Sequence, residues 1–264
     1  MSSHFVDAVE RSINLMRENL GEQLTVDDMA RAAMFSKFHY TRVFQRITGV
    51  SPGRFLSALR LERAKTLLLS TSLNVADVSV HVGYNSVGTF SSRFTRSVGL
   101  SPTEYRRCGG VAPCIAVAGS DRTPMRAGGV VSGIVSAVSP VPPDTIFLGL
   151  FKSRIPEGRP ASLTTLSGPG RFLLDKVPEG TWYLLCRGVG TSRAADDVPE
   201  GETVSQFGSH GPFRINAEQT VDVMVRLGPA RLCDPPMLLA LPDVRTAAPT
   251  RRLTWNDVAF GRAA

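Results

Sequence analysis

Apolar residues recur at helical spacing through the first hundred residues of the chain. A stripe over residues 4–20 predicts a packing helix that ends at Gly21. Residues 25–48 predict two short helices joined by a tight turn, with Thr25 as N-cap of the first and Ser36 as N-cap of the second. The second helix is basic and contains no acid, and this pairing is typical of a helix-turn-helix.

The same pattern returns over residues 74–99, with N-caps at Asn74 and Ser86. Each copy ends in a glycine, one apolar residue and Ser-Pro, which indicates a repeated structural unit. A long helix over residues 51–69 joins the copies, and residues 101–107 predict a last short helix. If both second helices enter one face of a DNA duplex, this rigid connection must hold them roughly 34 Å apart.

Helical periodicity vanishes after residue 107. Residues 108–129 are rich in Gly and Pro and predict a linker. Six short strands are expected at 130–138, 145–151, 162–166, 170–174, 181–188 and 219–227. We therefore expect a multidomain α + β chain, in which an all-α seven-helix double helix-turn-helix domain (1–107) precedes an all-β sandwich (130–229).

Two further segments of the C-terminal half have predicted roles. Residues 230–264 are expected to be an extended tail, with one piece docked on the sandwich and a frayed end. Residues 188–212 are polar and are expected to be the mobile loop of the sandwich.

Composition and charge narrow the class of protein. The chain has 264 residues and no run of 18 apolar residues, which excludes a membrane span and predicts a cytoplasmic protein. Four Cys without metal-ligand spacing predict reduced thiols, so neither a metal nor a cofactor is expected; a site at Cys108 and Cys114 is the disfavoured alternative. Residues 1–107 contain 14 basic and nine acidic side chains, so most of the net charge of +7 lies with the helices.

Several motifs make the N-terminal resemblance specific: the first unit at 25–48, the segment Ser51-Pro52-Gly53-Arg54-Phe55, Val82-Gly83-Tyr84, and the run from Gly99 to Arg107. On these, residues 6–107 resemble the DNA-binding domain of the AraC/XylS family of bacterial transcription regulators. The resemblance implies binding to double-stranded DNA at the nucleoid and activation through contact with RNA polymerase, while repression stays open. That family usually places its sensing domain before the helices, so no sugar effector is implied here.

A second resemblance concerns the sandwich and rests on turn and aromatic positions. The segments 167–172 and 177–184 are similar to the signature of transthyretin-like and carboxypeptidase-regulatory-like sandwiches. Pro178-Glu179-Gly180 reads as a tight turn that begins an aromatic-rich strand. This likeness implies a fold and no ligand.

The AraC/XylS resemblance carries over residue by residue to the second helix of each unit. The expected base contacts are Phe38, Thr41, Arg42, Val87, Gly88, Ser91 and Ser92. The expected phosphate contacts are Ser36, Lys37, Gln45, Arg46, Ser86, Arg93 and Arg96. Arg42 is the best candidate for reading a base, because a guanidinium can bind guanine O6 and N7 together. Alternatively, Phe38 is a core residue and Arg46 is merely solvated.

The second unit departs from the family pattern. Ser92 stands where the family has an arginine in the register of Arg42, and Arg93 is rotated from that position by about 100°. We therefore expect the first unit to supply most of the sequence discrimination. His39 and His81 are expected to be buried or half-buried packing residues.

Three functions are conceivable for the β domain. It either senses a small effector or serves as an oligomerisation or protein-docking module, and these two stay open. Catalysis is disfavoured because residues 108–264 contain a single histidine, His210, and the adjacent Asp196 and Asp197 would face opposite ways on a strand. The sequence thus predicts a transcription regulator that is not an enzyme.

Overall fold

The structure is a computed structural model that describes residues 3–112, 128–139, 141–191 and 203–241. Within these residues the helices are α1 (Ser3–Glu18), α2 (Val26–Ala32), α3 (Lys37–Thr48), α4 (Pro52–Ser70), α5 (Val75–His81), α6 (Val87–Val98) and α7 (Pro102–Arg107). The strands are β1 (Gly129–Ala137), β2 (Thr145–Phe151), β3 (Leu163–Leu166), β4 (Gly170–Val177), β5 (Gly180–Thr191), β6 (Thr203–Ile215) and β7 (Thr220–Pro229). The predicted fold class is confirmed: seven helices precede a mostly β region.

Capping side chains begin the first helix of each unit. The Asp28 N–H donates to Thr25 Oγ1 at 3.3 Å and the Thr25 N–H donates to Asp28 Oδ2 at 2.9 Å, which completes a capping box. The Thr25 hydroxyl also donates to Asp28 Oδ2 at 2.6 Å, and this bond, followed by the one from the Thr25 N–H, lowers the pKa of the Asp28 carboxyl. Asn74 begins α5 by accepting a hydrogen bond from the Asp77 N–H at 2.9 Å. Short polar side chains therefore set where each unit starts.

The turns inside the two units share one geometry. The Phe35 N–H donates to Ala30 O at 3.0 Å, and the Tyr84 N–H donates to Ser79 O at 2.9 Å. Each bond spans five residues and follows a residue with positive φ, as in a Schellman motif. The repeat seen in the sequence is therefore also a repeat of backbone structure.

Helix α4 is the centre of the helical core, which extends continuously through all seven helices. Nine of its 19 residues are buried. One side chain on its more exposed side, Arg60, joins the α1–α2 turn to the second unit: it donates to Leu20 O at 2.9 Å and to Glu22 O at 2.6 Å, and its guanidinium lies against Gly83. Because α4 packs against both units, it fixes them relative to each other.

The strands form a seven-stranded sheet in the order β3-β2-β5-β6-β7-β1-β4. Only two residue pairs join β6 to β7, Gln206 with Pro229 and Phe207 with Gly228. The sheet therefore folds into two layers, β4-β1-β7 and β3-β2-β5-β6. Inward side chains of both layers form one core, including Val131, Leu148, Leu174, Leu184 and Val225. The likeness to transthyretin-like sandwiches stays a prediction.

One expected loop is a strand. Residues 203–212, predicted as part of a mobile loop, belong to β6, which pairs with β5 from Gly180↔Ile215 to Thr191↔Thr203. The prediction failed because Gly208, Gly211 and Pro212 weaken the apolar alternation, whereas the backbone bonds to β5 do not depend on it. Arg193, Asp196, Asp197 and Glu200 of that segment lie outside the described residues, as do most of the predicted linker and the end of the tail.

The β domain contacts the helical domain through the loop between β2 and β3. Glu157 accepts a hydrogen bond from Arg54 Nη2 at 2.8 Å and another from Ser97 Oγ at 2.8 Å. Arg54 lies at the start of α4 and Ser97 at the end of α6. The single carboxylate of Glu157 therefore joins both helices to the β domain. Arg154 of the same loop lies over Gly49, at the end of α3.

The first part of the tail forms a second contact. The Leu238 N–H donates to Pro156 O at 3.2 Å and the Ala240 N–H donates to Val98 O at 3.1 Å. Lys65 Nζ of α4 donates to the carbonyl oxygens of Met237 and Leu239 at 3.0 and 3.2 Å. The tail residues that the structure describes thus lie between the helices and the outer side of β2 and β5.

Two features are absent from the described ranges of the chain. No helix there combines the length and apolar character that crossing a membrane demands. Nor does that part of the chain hold a group of three or more His, Cys, Asp or Glu side chains able to bind a metal ion.

Candidate nucleic-acid interface

Helix α3 has one buried side and one exposed side. Its buried residues are Tyr40, Val43, Phe44 and Thr48. Its exposed predicted DNA contacts are Lys37, Phe38, Arg42, Gln45 and Arg46. The whole helix contains no acid, so its exposed side is cationic, as contact with a phosphate backbone requires.

The Phe38 side chain is 85% exposed, so the alternative that it belongs to the core is wrong. Helical geometry turns it outward because Tyr40, Val43 and Phe44 occupy the inward positions. A large aromatic side chain in contact with water is a candidate contact residue. Thr41, one turn further along, is half-buried and its Oγ1 donates to Lys37 O at 2.9 Å, which leaves its methyl group and its acceptor electrons for a ligand.

The cationic side chains of α3 differ in whether they already form an ion pair within the domain. Lys37 Nζ lies 2.8 Å from Asp27 Oδ2, so part of its charge is offset within the domain. Arg42 and Arg46 form no ion pair with any residue in the described ranges. Ser36, the N-cap, makes no side-chain hydrogen bond to its helix, so its hydroxyl is not used in capping. The guanidinium groups of Arg42 and Arg46 and the hydroxyl of Ser36 are therefore available on this side for contact with a ligand.

Helix α6 also has one buried and one exposed side, but its exposed side carries fewer cationic side chains. Phe90, Phe94, Ser97 and Val98 are buried, and the predicted contacts Val87, Gly88, Ser92 and Arg96 are exposed. Ser91 is half-buried. Ser86 caps the helix, since its hydroxyl accepts from the Thr89 N–H at 3.4 Å. Like α3, α6 contains no acid, but its exposed side has one arginine, Arg96, where α3 has two.

Arg93 is only half-buried, but its Nε is enclosed and finds no acceptor in the part of the chain that the structure describes. The Arg93 guanidinium is therefore less accessible to a ligand than the exposed guanidinium of Arg42. That Arg93 does not replace an arginine at the position of Ser92 stays a prediction.

The two histidines are placed differently from the prediction. His39 and His81 are both exposed, so the expectation that they are buried or half-buried is wrong. The His39 ring packs edge-on against Phe35, with 4.8 Å between ring centroids. His39 and Thr89 lie on the exposed sides of α3 and α6, and sequence reasoning missed both as possible contacts. Their spacing from Arg42 and Ser92, three residues, could have identified them.

Comparison with known proteins bears on the helical region. Residues 29–108 match a protein-family model described as a helix-turn-helix domain. A lactose operon transcription activator of Staphylococcus xylosus is 31% identical over 98 residues, which are 37% of this chain and 35% of that protein. The transcriptional activator AarP of Providencia stuartii is 34% identical over 88 residues, which are 33% of this chain and 65% of that protein. The chain thus spans about a third of the first relative's length.

Solved structures are also similar to part of this chain. An AraC-type DNA-binding regulator from Chromobacterium violaceum is 28% identical, with 40% of this chain and 95% of that chain covered and a TM-score of 0.38. The DNA-binding domain of AdpA in complex with a target DNA is 30% identical, with 37% and 87% covered and a TM-score of 0.36.

The family model thus gives a helix-turn-helix domain at residues 29–108. The matched residues begin inside α2 and end after α7, so this domain includes both second helices and α4. The strands lie outside it. The predicted contacts on α3 and α6 all lie within the matched residues, whereas nothing in these comparisons assigns them a role.

Proposed function

We propose that this chain is a sequence-specific DNA-binding transcription regulator that binds one face of a duplex through α3 and α6 in successive major grooves. The observation that carries the proposal is the exposed, acid-free side of α3, repeated in α6 and held by α4. A helix-turn-helix places its second helix in the major groove, and two such units one helical turn apart bind two grooves on one side.

We assign the two helices different tasks. Arg42 is exposed and without an ion pair in the described ranges, so it can donate two hydrogen bonds to a guanine edge. Phe38 and Thr41 offer apolar contact to a thymine methyl group. Lys37, Gln45 and Arg46 contact phosphates, which position the helix without reading sequence. On α6, the small side chains Gly88, Ser91 and Ser92 permit close approach but carry less sequence information.

The direction of regulation is proposed from the relatives. Two of them, from Staphylococcus xylosus and Providencia stuartii, are named as activators of transcription. Activation through RNA polymerase is accordingly the favoured mode for this chain, and its place of action is then the bacterial nucleoid. In this chain the β domain follows the helices, whereas the AraC/XylS family usually places its sensing domain before them. The way in which those proteins respond to an effector is therefore not proposed for this chain.

For the β domain, docking is favoured over sensing by an internal ligand. The interior between its two layers is filled by fully buried side chains such as Val131, Leu148 and Leu184. A cleft of about 290 Å³ lies instead at the junction with the helices, between Arg54 and the β2–β3 loop. The outer side of β1 and β7 exposes Ile134 and Met224, as a docking surface does.

Genome-wide binding of the tagged full-length chain would identify its target fragments, and fluorescence anisotropy would then measure affinity for single-base variants of one target. Arg42→Ala is expected to lose about 1–3 kcal/mol on the specific site and to relax preference at one base pair. Arg46→Ala, the matched control on the same helix, should weaken all sequences alike and reduce the salt dependence by about one phosphate contact. A uniform loss for Arg42→Ala would make it a phosphate contact, and failure of the folded chain to bind any fragment at low salt would refute the function.

A further inference from the structure

The loop between β2 and β3 contacts the C-terminal ends of α3 and α6. At the end of α3, the Arg154 side chain lies so close to Gly49 that a Cβ on this glycine would overlap Arg154 Cδ. At the end of α6, Ser97 Oγ donates to Glu157 Oε2 at 2.8 Å, and the Gly158 N–H donates to Ser97 O at 2.9 Å. One loop of the β domain therefore reaches both of the helices that are proposed to enter the grooves of DNA.

Ile155 of this loop packs with the helices. Its side chain is 1% exposed and belongs to the buried apolar cluster of the helical domain, not to the core between the sheet layers. The same cluster contains Val50 just after α3, Phe55 in the first turn of α4 and Val98 at the end of α6. An apolar side chain of the β domain is therefore part of the packing that holds these three helices together.

Glu157 adds a polar link between the two units. Its Oε1 accepts from Arg54 Nη2 at 2.8 Å, at the start of α4 and directly after the first unit, while its Oε2 accepts from Ser97 in the last turn of α6. The Glu157 side chain is only 22% exposed, so water screens these bonds less than it screens a surface ion pair. Helix α4 fixes the units from within the core, and Glu157 ties them a second time at the helix ends.

The loop is itself anchored to the sandwich. Arg154 Nη2 donates to Ser209 Oγ on β6 at 3.2 Å, and Lys152 Nζ lies 3.6 Å from the centre of the Trp182 ring on β5. The loop cannot shift relative to β5 and β6 without breaking these contacts. Its position at the ends of α3 and α6 is therefore tied to the position of the sheet.

From these contacts we infer that the β2–β3 loop sets the distance and the angle between α3 and α6. The β domain then determines which spacing between the two bound groove segments the chain accepts, an inference that rests on the proposed binding to successive major grooves. Ile155 and Glu157 are positioning residues, because they act on DNA only through the helices they contact. One inserted base pair moves the second segment by about 3.4 Å and turns it by about 35°, which a rigid pair of helices cannot follow without losing contacts.

Distance measurements between spin labels on the full-length chain test the positioning in the absence of DNA. Labels at Gln45 on α3 and Ser92 on α6, both exposed, are attached through a ketone-bearing amino acid so that the native thiols stay unlabelled. With the loop intact, the labels should give one narrow distance distribution. Ile155→Ala leaves a cavity in the helical core and should broaden this distribution or shift its centre. A folded Ile155→Ala chain with an unchanged distribution overturns the inference.

Three further variants separate positioning from general stability. Leu174→Ala removes a side chain that is also 1% exposed but lies in the sandwich core, so it should leave the distribution unchanged, and an equal change there would overturn the inference. Ile155→Val keeps most of the apolar volume and should restore the wild-type distribution. Glu157→Gln keeps the size of the side chain but loses the charge that attracts Arg54. Its distribution decides the question if thermal unfolding shows that Ile155→Ala does not fold.

Fluorescence anisotropy with a target fragment, and with the same fragment carrying one inserted base pair between the two segments, measures the spacing preference. The wild type should lose at least about tenfold in affinity on insertion, whereas Ile155→Ala and Glu157→Gln should lose less than about threefold. Leu174→Ala should keep the wild-type ratio. Equal ratios in all of these chains, or a wild type that binds both fragments equally, overturn the inference. A folded wild type that binds no fragment refutes the proposed function instead, and the spin-label distances then decide whether the loop positions the helices.

Discussion

Ser97 donates its hydroxyl hydrogen to Glu157 Oε2 at 2.8 Å, and this bond ties the last turn of α6 to the β domain. The other carboxylate oxygen of Glu157 accepts from Arg54 at 2.8 Å. The Gly158 N–H adds a bond to Ser97 O at 2.9 Å. The β domain is therefore bonded to the C-terminal end of α6.

The first prediction concerns this junction. Glu157→Ala removes the acceptor for two hydrogen bonds, one of them to a charged donor, and should lower the free energy of unfolding by about 1–3 kcal/mol in urea titrations. Thr95→Ala is the control on the same helix, since Thr95 Oγ1 bonds only its own turn, at Ser91 O. Equal effects of the two changes would mean that the junction contributes nothing to stability.

Two glycines, Gly49 and Gly99, allow a second test of the contact between the β2–β3 loop and the helices. Gly49 and Gly99 end α3 and α6 in the left-handed region, with φ of 78° and 92°. Ala in that region costs about 1 kcal/mol at either site. A Cβ at Gly49 would in addition overlap Arg154 Cδ, whereas one at Gly99 would meet nothing within 4 Å.

We therefore expect Gly49→Ala to be more destabilising than Gly99→Ala, because Arg154 must move and lose its bond to Ser209 at 3.2 Å. Thermal or urea unfolding of the two variants measures the difference. The added Arg154→Ala change should bring Gly49→Ala back to the level of Gly99→Ala. The reverse order of stability would contradict the docking of the β2–β3 loop on α3.

Substitution of Phe38 distinguishes a DNA-contact role of this side chain from a packing role. Because its ring is 85% exposed, Phe38→Ala should change the free energy of unfolding by less than about 0.5 kcal/mol. Affinity for the target DNA should nevertheless fall. Phe44→Ala is the matched aromatic control: Phe44 is fully buried, so this change should cost about 3–5 kcal/mol of stability. A Phe38→Ala chain with unchanged stability and unchanged DNA affinity would remove Phe38 from the interface.

Lys65 makes the stability of the interdomain contact depend on pH. Burial lowers its pKa from about 10.5 to about 8, the cation of Arg187 adds to this, and Glu62 opposes it. The Tyr105 ring also faces the ammonium, 5.9 Å from its centroid. Between pH 8 and 10.5 the unfolded chain therefore holds a proton that folded Lys65 has lost, so raising the pH favours the folded state across this window.

Burial of Cys186 and Tyr40 raises their pKa values and acts in the opposite direction at high pH, so the wild-type curve alone is not diagnostic. The difference in unfolding free energy between the wild type and Lys65→Met isolates the lysine. That difference should grow in favour of the wild type by about 1–3 kcal/mol from pH 8 to pH 10.5. A difference that stays flat with pH would mean that the Lys65 ammonium is hydrated and titrates normally.

The helical domain was predictable from the sequence because local chemistry decides it. Thr25, Asn74 and Ser86 begin helices through bonds to backbone N–H groups three residues away, and the apolar spacing gives the buried side. Strand β6 was missed because its pairing with β5 is non-local and is made by the backbone. The exposure of Phe38 and His39 depended on where the core lies, which spacing alone left open.

The contact between domains had no sequence signal at all. Glu157, Arg154 and Lys65 read as ordinary polar residues of a loop and of a helix surface. Their roles depend on which surfaces meet in three dimensions.

Hydroxyl-radical footprinting of the full-length chain on a target fragment shows whether α3 and α6 bind two successive major grooves on one side of a duplex. Two protected regions are expected on one face, about ten base pairs apart, with protection by α3 lost first in Arg42→Ala. A single protected region, or protection spread around both faces of the duplex, would contradict it.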